Sequence, residues 1–108
     1  MLAKPIPVSG EMLPAIGIGT YKGFDLPDGE ATRTRLAEVL RRLFAAGGAI
    51  VDSSPMYGRA EARAGQALAS LGKLYDAFIM TKVWTSGGAA GTRQMRDSLT
   101  FFGVSASR

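Results

Sequence analysis

An aspartate, a tyrosine and a lysine stand at positions of this sequence from which they can act together in acid–base chemistry. Asp52 ends an apolar segment, Tyr57 lies in the loop five residues later, and Lys82 follows another apolar segment, 25 residues after Tyr57. A free phenol has a pKa of about 10, too high for ready proton exchange near neutral pH, and a neighbouring cation lowers it. We expect Lys82 to act on Tyr57 in this way, with Asp52 pairing to Lys82 and keeping its ammonium charged and oriented. The three residues predict a general acid that protonates an oxygen on which negative charge develops.

Alternating strand and helix patterns in the sequence can bring these residues together. The predicted strands cover residues 15–20, 49–51 and 77–80, and the predicted helices cover residues 30–46, 60–71 and about 92–102. A turn at Ser9 and Gly10 predicts a hairpin ahead of them, over residues 6–13. Strand–helix alternation favours parallel strands joined by right-handed crossovers. The carboxyl ends of such strands meet at one edge of the sheet, where Asp52 and Lys82 are predicted to lie.

Apolar stripes and helix-terminating residues define the predicted helices. Asp28 is the expected N-cap of the first helix, and Gly47 with Gly48 follows its end. Gly103 is expected to stop the third helix. The stripes consist of Leu36, Val39, Leu40, Leu43 and Phe44 in the first helix, of Ala64, Ala67, Leu68 and Leu71 in the second, and of Met95, Leu99 and Phe102 in the third.

Composition places the chain among ordinary globular proteins. It has 108 residues, of which 46% are hydrophobic and 20% charged, and its net charge is +4. The length fits a single domain over residues 1–108. The basic residues are scattered rather than clustered, so the sequence predicts no nucleic-acid partner. No signal peptide and no apolar run long enough to cross a bilayer is present, which favours a soluble, cytoplasmic protein without a membrane partner.

The absence of cysteine and histidine limits the chemistry further. It excludes a disulfide framework and a thiol nucleophile, and it leaves no predicted metal site. Gly17 and Gly19 do not form a dinucleotide-binding fingerprint, because Lys22 stands where the third glycine of that motif would be required.

Three segments resemble, in order and spacing, the signature regions of the aldo-keto reductases. They are LPAIGIGTY at 13–21, AIVDSSPMYG at 49–58 followed by Glu61, and FIMTKVW at 78–84. The resemblance covers about residues 6–99. It implies an α/β fold that is part of a (β/α)8 TIM barrel, built from the hairpin and three βα units. It also implies an oxidoreductase that uses NADPH to reduce aldehydes or ketones to alcohols by hydride transfer.

The resemblance also assigns roles to residues of this chain. Tyr57 would be the proton donor, with Asp52 and Lys82 as the catalytic residues that tune it. Gly19, Thr20 and Tyr21, together with Asp52, would lie near the nicotinamide end of the cofactor. Trp84 would line the pocket for the small carbonyl substrate.

Two departures separate the chain from the family pattern. The loop after Asp52 reads Ser-Ser-Pro-Met where many relatives have Thr-Ala and other residues, but the spacing to Tyr57 is intact. Residues 101–108 stand where the family's next strand should bring an aspartate and the catalytic histidine. We therefore expect an incomplete, N-terminal barrel segment that ends before the catalytic histidine and is inactive alone.

Two other functions are compatible with the same residues. The chain could be a non-catalytic interaction module that keeps the reductase-like scaffold and associates with itself or a partner through open sheet edges. It could also be a small three-layer α/β binding domain unrelated to reductases. The sequence leaves open which carbonyl compound is the substrate, whether NADPH is preferred over NADH, whether the chain folds alone, and its oligomeric state.

Overall fold

A computed structural model describes residues 1–104 of the chain. An antiparallel hairpin precedes a parallel sheet whose strands alternate with helices. The hairpin consists of β1 (Ala3–Pro5) and β2 (Met12–Pro14), the parallel sheet of β3 (Gly17–Gly19), β4 (Ile50–Asp52) and β5 (Phe78–Met80), and the helices are α1 (Glu30–Ala45), α2 (Ala60–Ser70) and α3 (Gly88–Phe102). In residues 101–108 we expected the family's next strand to be missing. The last four of these residues, 105–108, lie outside the described part of the chain.

The parallel sheet has the strand order β3–β4–β5, with β4 in the middle. Gly19 pairs with Asp52 and Asp52 pairs with Met80, so all three strands end at the same level. Side chains alternate between the faces of a strand. Val51 is fully buried, whereas its neighbours Ile50 and Asp52 are half-buried. The predicted α/β fold with parallel βα units is confirmed, and the carboxyl ends of the strands share one edge.

The hairpin forms with different boundaries from those predicted. Ile6 was expected in its first strand but begins the connecting loop, where its N–H donates to the Glu11 carbonyl and its own carbonyl accepts from Gly10. Pro7, which has no N–H, cannot continue the ladder at the next position. Gly10 has a φ of 72°, as the turn prediction requires.

The start of α1 corrects the predicted cap. Gly29 occupies the N-cap position, and no side chain caps the helix. The Asp28 carboxylate instead accepts a hydrogen bond from the Gly29 N–H and binds the Arg33 guanidinium through both oxygens. A charge-assisted, two-point contact of this kind outcompetes capping for the same carboxylate.

The start of α3 was also predicted wrongly. Residues 85–91 were expected to form a loop, but the helix already begins at Gly88, and the Gly91 N–H donates to the Gly87 carbonyl. The first turn of α3 thus contains Gly88 and Gly91 in spite of their weak helix propensity. The predicted end is confirmed, since Gly103 has the left-handed conformation at the C-cap.

Helix α2 lies between α1 and α3, and its small residues allow both neighbours to approach closely. A Cβ added at Gly65 would stand 2.7 Å from the Phe101 carbonyl oxygen and 2.8 Å from the Phe102 Cα. The core is formed by Phe24, Leu36, Leu40, Val51, Ala60, Ala64, Ala67, Leu68, Ala77 and Phe102. Two residues predicted on apolar stripes, Val39 and Met95, are exposed instead. Within residues 1–104, no helix has the length and apolar character needed to span a bilayer.

Candidate active site

The carboxyl edge of the parallel sheet brings together the three residues singled out by the sequence. Asp52 is the last residue of β4, and Lys82 follows the end of β5 by two residues. The Lys82 Nζ lies 3.1 Å and 3.3 Å from the two Asp52 carboxylate oxygens. The same Nζ lies 5.1 Å from the centre of the Tyr57 ring. One ammonium therefore interacts with both the carboxylate and the aromatic ring.

A backbone oxygen completes the surroundings of the lysine. Lys82 Nζ donates a hydrogen bond of 2.7 Å to the Ser53 carbonyl, shorter than either of its contacts with Asp52. Sequence reasoning did not predict this contact, because every residue carries a carbonyl and the residue type gives no signal. The lysine is thus held by two acceptors on consecutive residues.

The environment of Lys82 raises the pKa of its ammonium above the ordinary value of 10.5. Burial acts in the opposite direction, because it penalises the charged form. The hydrogen bonds and charge of Asp52, with a smaller electrostatic contribution from Tyr57, outweigh that penalty. Lys82 is consequently a fixed positive charge at neutral pH, with 39% of its side chain exposed.

A tight turn after β4 positions Tyr57. The Tyr57 N–H donates to the Ser54 carbonyl, and the Ser54 hydroxyl accepts from the Met56 N–H. Ser54 itself is buried. The ring of Tyr57 lies 4.9 Å from that of Tyr21, tilted by 54°, which is a favourable aromatic arrangement. Two loops therefore contribute to the position of this phenol.

Thr20 supports the site from inside the protein. Its Oγ1 lies 2.7 Å from the Ser53 Oγ and 3.1 Å from the Asp52 carbonyl oxygen, and its N–H also donates to that oxygen. Both Thr20 and Ser53 are fully buried. The side chain of Thr20, which we expected near a cofactor, is thus engaged within the protein and fastens the end of β3 to that of β4.

Gly19 and Tyr21, on either side of Thr20, are accessible. Tyr21 is exposed, and a Cβ added at Gly19 would meet no atom within 4 Å. Gly19 pairs with Asp52, so this open space lies beside the catalytic candidates. A flat ring can approach the backbone closely at such a glycine. Among the residues expected to bind a cofactor, Gly19 and Tyr21 are thus accessible, and Asp52 lies beside Gly19 at the end of β4.

Trp84 projects from the loop between β5 and α3 with 67% of its surface exposed. Its backbone is held by one side chain, because the Gln94 amide accepts from the Trp84 N–H and donates to the Trp84 carbonyl. The indole ring is therefore presented on an anchored loop. No contact of the ring with Asp52, Tyr57 or Lys82 is seen among the described residues.

A buried carboxylate behind the site was not assigned a role from the sequence. Glu61 is 3% exposed, and its two oxygens accept hydrogen bonds from the hydroxyls of Thr81, at 2.6 Å, and Ser98, at 3.0 Å. Thr81 directly precedes Lys82, so the network joins α2 and α3 to the end of β5. Glu61 shares the spacing of Gly65 and Leu68 on the buried face of α2, a signal that could have identified it.

Comparisons with known proteins found a matching family model and similar solved structures. The sequence model of the aldo/keto reductase family matches residues 15–105. A solved structure from Pseudomonas aeruginosa, named as a putative aldo-keto reductase, is 27% identical with a TM-score of 0.82, and the match covers 99% of this chain and 43% of that one. An aldo/keto reductase from Klebsiella pneumoniae, solved in complex with NADP and acetate, is 27% identical with a TM-score of 0.73, covering 91% and 34%.

A further P. aeruginosa structure, also named as a putative aldo-keto reductase, is 25% identical with a TM-score of 0.81, and the match covers 99% of this chain and 44% of that one. Among curated proteins, none matches the chain. The chain spans less than half the length of these solved structures, and the part of a reductase barrel predicted from the sequence is confirmed. With signature segments, sheet topology and a family match over residues 15–105 in agreement, this chain belongs to the aldo/keto reductase family.

Proposed function

We propose that the chain carries the proton-donating part of the active site of an NADPH-dependent carbonyl reductase, which converts aldehydes or ketones to alcohols. The observation that supports this most directly is the position of the Lys82 ammonium, bound to Asp52 and 5.1 Å from the Tyr57 ring. A lysine, tyrosine or aspartate alone at a strand end would not support the proposal. Their convergence at the carboxyl edge of parallel strands is typical of catalytic groups in this architecture.

Tyr57 is the proton donor in this proposal. Its phenol gives a proton to the carbonyl oxygen of the substrate as negative charge develops there. The nearby Lys82 ammonium stabilises the phenolate that remains, because opposite charges attract more strongly where water is partly excluded. Asp52 keeps that ammonium oriented and charged, and so acts through Lys82.

The cofactor is proposed to bind with its nicotinamide end over Gly19, beside Tyr21 and Asp52. The open space above the Gly19 backbone supports this placement. NADPH, when bound, supplies the hydride that reaches the carbonyl carbon. The NADP in the structure of the Klebsiella pneumoniae relative is consistent with this choice of cofactor. Thr20 contributes by fixing the strand end beneath it, and the exposed Trp84 is proposed to line the substrate pocket.

A chimera tests the proposal directly. Residues 1–104 replace the matching segment of the P. aeruginosa relative, whose TM-score with this chain is 0.82. Tyr57→Phe in that chimera should lower kcat for aldehyde reduction by about 10²-fold or more, the contribution expected of a general acid. Tyr75→Phe is the matched control, since Tyr75 is exposed in the loop before β5, away from the carboxyl edge. A Tyr57→Phe chimera as active as this control contradicts the proposal.

A second candidate function is an interaction module, and one observation favours it. Within residues 1–104, β5 pairs with β4 alone. A cavity of about 330 Å³ runs beside β5, lined by Phe78, Ile79, Met80, Thr81, Lys82, Val83 and Met95. Sedimentation of the purified chain, combined with NADPH fluorescence, distinguishes the two functions. A compact oligomer that does not quench NADPH fluorescence would favour the interaction module.

A further inference from the structure

Two loops of the site are joined by a carboxylate that touches none of the three catalytic candidates. Asp25 lies in the loop between β3 and α1, and its Oδ1 accepts from Arg59 twice, at 3.0 Å from the backbone N–H and at 3.1 Å from Nε. Arg59 ends the loop that follows β4 and carries Tyr57. One side chain thus connects the loop after β3 with the loop after β4.

The Asp25 carboxylate also occupies the space beside Gly58, the residue directly after Tyr57. Gly58 has a φ of 61°, a conformation that residues with a side chain rarely adopt. A Cβ added there would lie 2.5 Å from the Asp25 Oδ1. The backbone next to Tyr57 is therefore in direct contact with the carboxylate, which only a glycine at this position allows.

The loop that carries Asp25 is anchored on both sides of it. Phe24 is buried in the core, and the Leu26 carbonyl accepts a hydrogen bond from the Arg63 guanidinium of α2. Earlier in the same loop, Tyr21 rests against the Tyr57 ring. Because the Asp25 carboxylate is held in place by its own loop, it can fix the positions of Arg59 and Gly58. A mobile carboxylate would instead move with these two residues.

We propose that Asp25 is a positioning residue that sets the orientation of Tyr57 by fixing the backbone at residues 58 and 59. This role matters for catalysis only if Tyr57 is the proton donor, as proposed above. The positioning of Tyr57 by Asp25 does not depend on that function. The Asp25 side chain bonds to Arg59 and lies against Gly58, so it acts through the loop.

The negative charge of Asp25 contributes to this positioning. The Arg59 backbone N–H and guanidinium hold the pKa of the Asp25 carboxyl below its ordinary value of 3.8, with a smaller contribution from the Arg63 charge. These two arginines are the charged groups that face it from the packed loop and from α2. The contact is consequently strongest near neutral pH and is weakened as pH falls through the lowered pKa.

Nuclear Overhauser effects between the rings of Tyr21 and Tyr57 test the proposal in the 108-residue chain. Asp25→Ala should abolish the ring-to-ring signal while the helical circular dichroism of the chain persists. Asp28→Ala is the matched control, because Asp28 likewise binds an arginine and a backbone N–H, but its partners are Arg33 and Gly29. An unchanged signal in Asp25→Ala, or a missing signal in the unmodified chain, overturns the proposal.

Asp25→Asn, which has a side chain of the same size, separates the loss of the contact from unfolding of Asp25→Ala. Asp25→Asn keeps a neutral acceptor oxygen for the Arg59 N–H, as a protonated carboxyl does, and should show a ring-to-ring signal weaker than that of the unmodified chain near neutral pH but stronger than that of Asp25→Ala. In the unmodified chain the signal should weaken in acid, as Asp25 is protonated, to the level seen in Asp25→Asn, and in Asp25→Asn that pH dependence should be absent. The same acid loss in Asp25→Asn would assign it to another group and contradict the role of Asp25.

A double-mutant cycle tests the contact with Gly58 separately. Gly58→Ala should be destabilising in the normal chain, and its cost should be smaller in an Asp25→Ala background, where the space is vacated. Equal costs in both backgrounds would show that the carboxylate does not act on Gly58. Because none of these measurements uses turnover, the positioning role can stand even if Tyr57→Phe proves harmless in the chimera.

Discussion

At the scale of single residues, the parallel topology explains why part of the site could be predicted. Asp52 and Lys82 both follow apolar strand segments, and the shared edge of parallel strands brings such residues together. The Ser53 carbonyl and the Asp25 contact could not be predicted in this way. A backbone acceptor has no residue type, and an aspartate in a loop gives no periodic signal. The catalytic roles themselves stay predictions.

Asp52→Asn is expected to lower the pKa of Lys82. The substitution removes the charge that raises this pKa and leaves the burial that lowers it. The pKa can be measured by NMR titration of the lysine side chain in the 108-residue chain. Asp76→Asn is the control, because Asp76 pairs with Lys73 at 3.8 Å and should leave Lys82 unaffected. A Lys82 pKa that is the same in both variants would contradict the cause assigned here.

The raised pKa of Lys82 also predicts how stability depends on pH. A lysine whose pKa is raised on folding contributes stability that is fully present below its unfolded value, here about 10.5. This contribution is lost as pH rises through the folded-state pKa. Urea unfolding above neutral pH should therefore show a smaller alkaline loss for Asp52→Asn than for the unmodified chain. Parallel stability curves for the two proteins would refute this linkage.

At the scale of elements, periodicity predicted the helices and strands, but some of their ends differ from the prediction. The cap expected of Asp28 was lost to Arg33, and α3 began earlier than its glycines suggested. The predicted end of α3 at Gly103 is confirmed. The remaining surprise is Glu61, a buried acid in the tight contact of α2, β5 and α3.

Glu61→Ala should destabilise the chain by about 2–3 kcal/mol, since it removes two hydrogen bonds to a buried carboxylate and leaves the hydroxyls of Thr81 and Ser98 without that acceptor. The free energy of unfolding in urea measures the effect. Glu30→Ala, in the exposed first turn of α1, is the control and should change stability by no more than about 0.5 kcal/mol. Similar losses in the two variants would show that the buried network contributes little.

Gly65→Ala should separate α2 from α3. A methyl group at this position would overlap the backbone of Phe101 and Phe102, and overpacking typically costs about 1–3 kcal/mol. Gly88→Ala is the matched control, because a Cβ there meets nothing within 4 Å and alanine favours a helix. Thermal or urea unfolding should show opposite signs for the two substitutions. A neutral Gly65→Ala would disprove the close approach.

At the scale of the whole molecule, the described residues form a hairpin and three βα units, and the chain spans 43% of the P. aeruginosa structure. The family's barrel was predictable because strand–helix alternation and three signature segments agree with each other. The substrate was not, because no described group selects one carbonyl compound over another. The face of the sheet that carries Gly19 and the exposed Met80 corresponds to the face that lines the barrel interior in a (β/α)8 architecture.

The 108-residue chain alone is expected to show no carbonyl reduction. It contains no histidine, so the fourth catalytic residue implied by the family resemblance is not among its residues. Loss of NADPH absorbance in the presence of an aldehyde measures the activity, and the chimera described above is the positive control. Turnover by the chain alone that is lost in Tyr57→Phe would show that Tyr57, Lys82 and Asp52 suffice.

The bond between Lys82 and the Ser53 carbonyl depends on the main chain and not on a residue type. Any amino acid at position 53 that leaves the backbone in place offers the same main-chain oxygen. The lysine can therefore keep its location after Asp52 is neutralised. Variants at Asp52 then change the charge next to Lys82 with little displacement of the lysine. In this chain the electrostatic effect of Asp52 on Lys82 can therefore be separated from its effect on the position of Lys82.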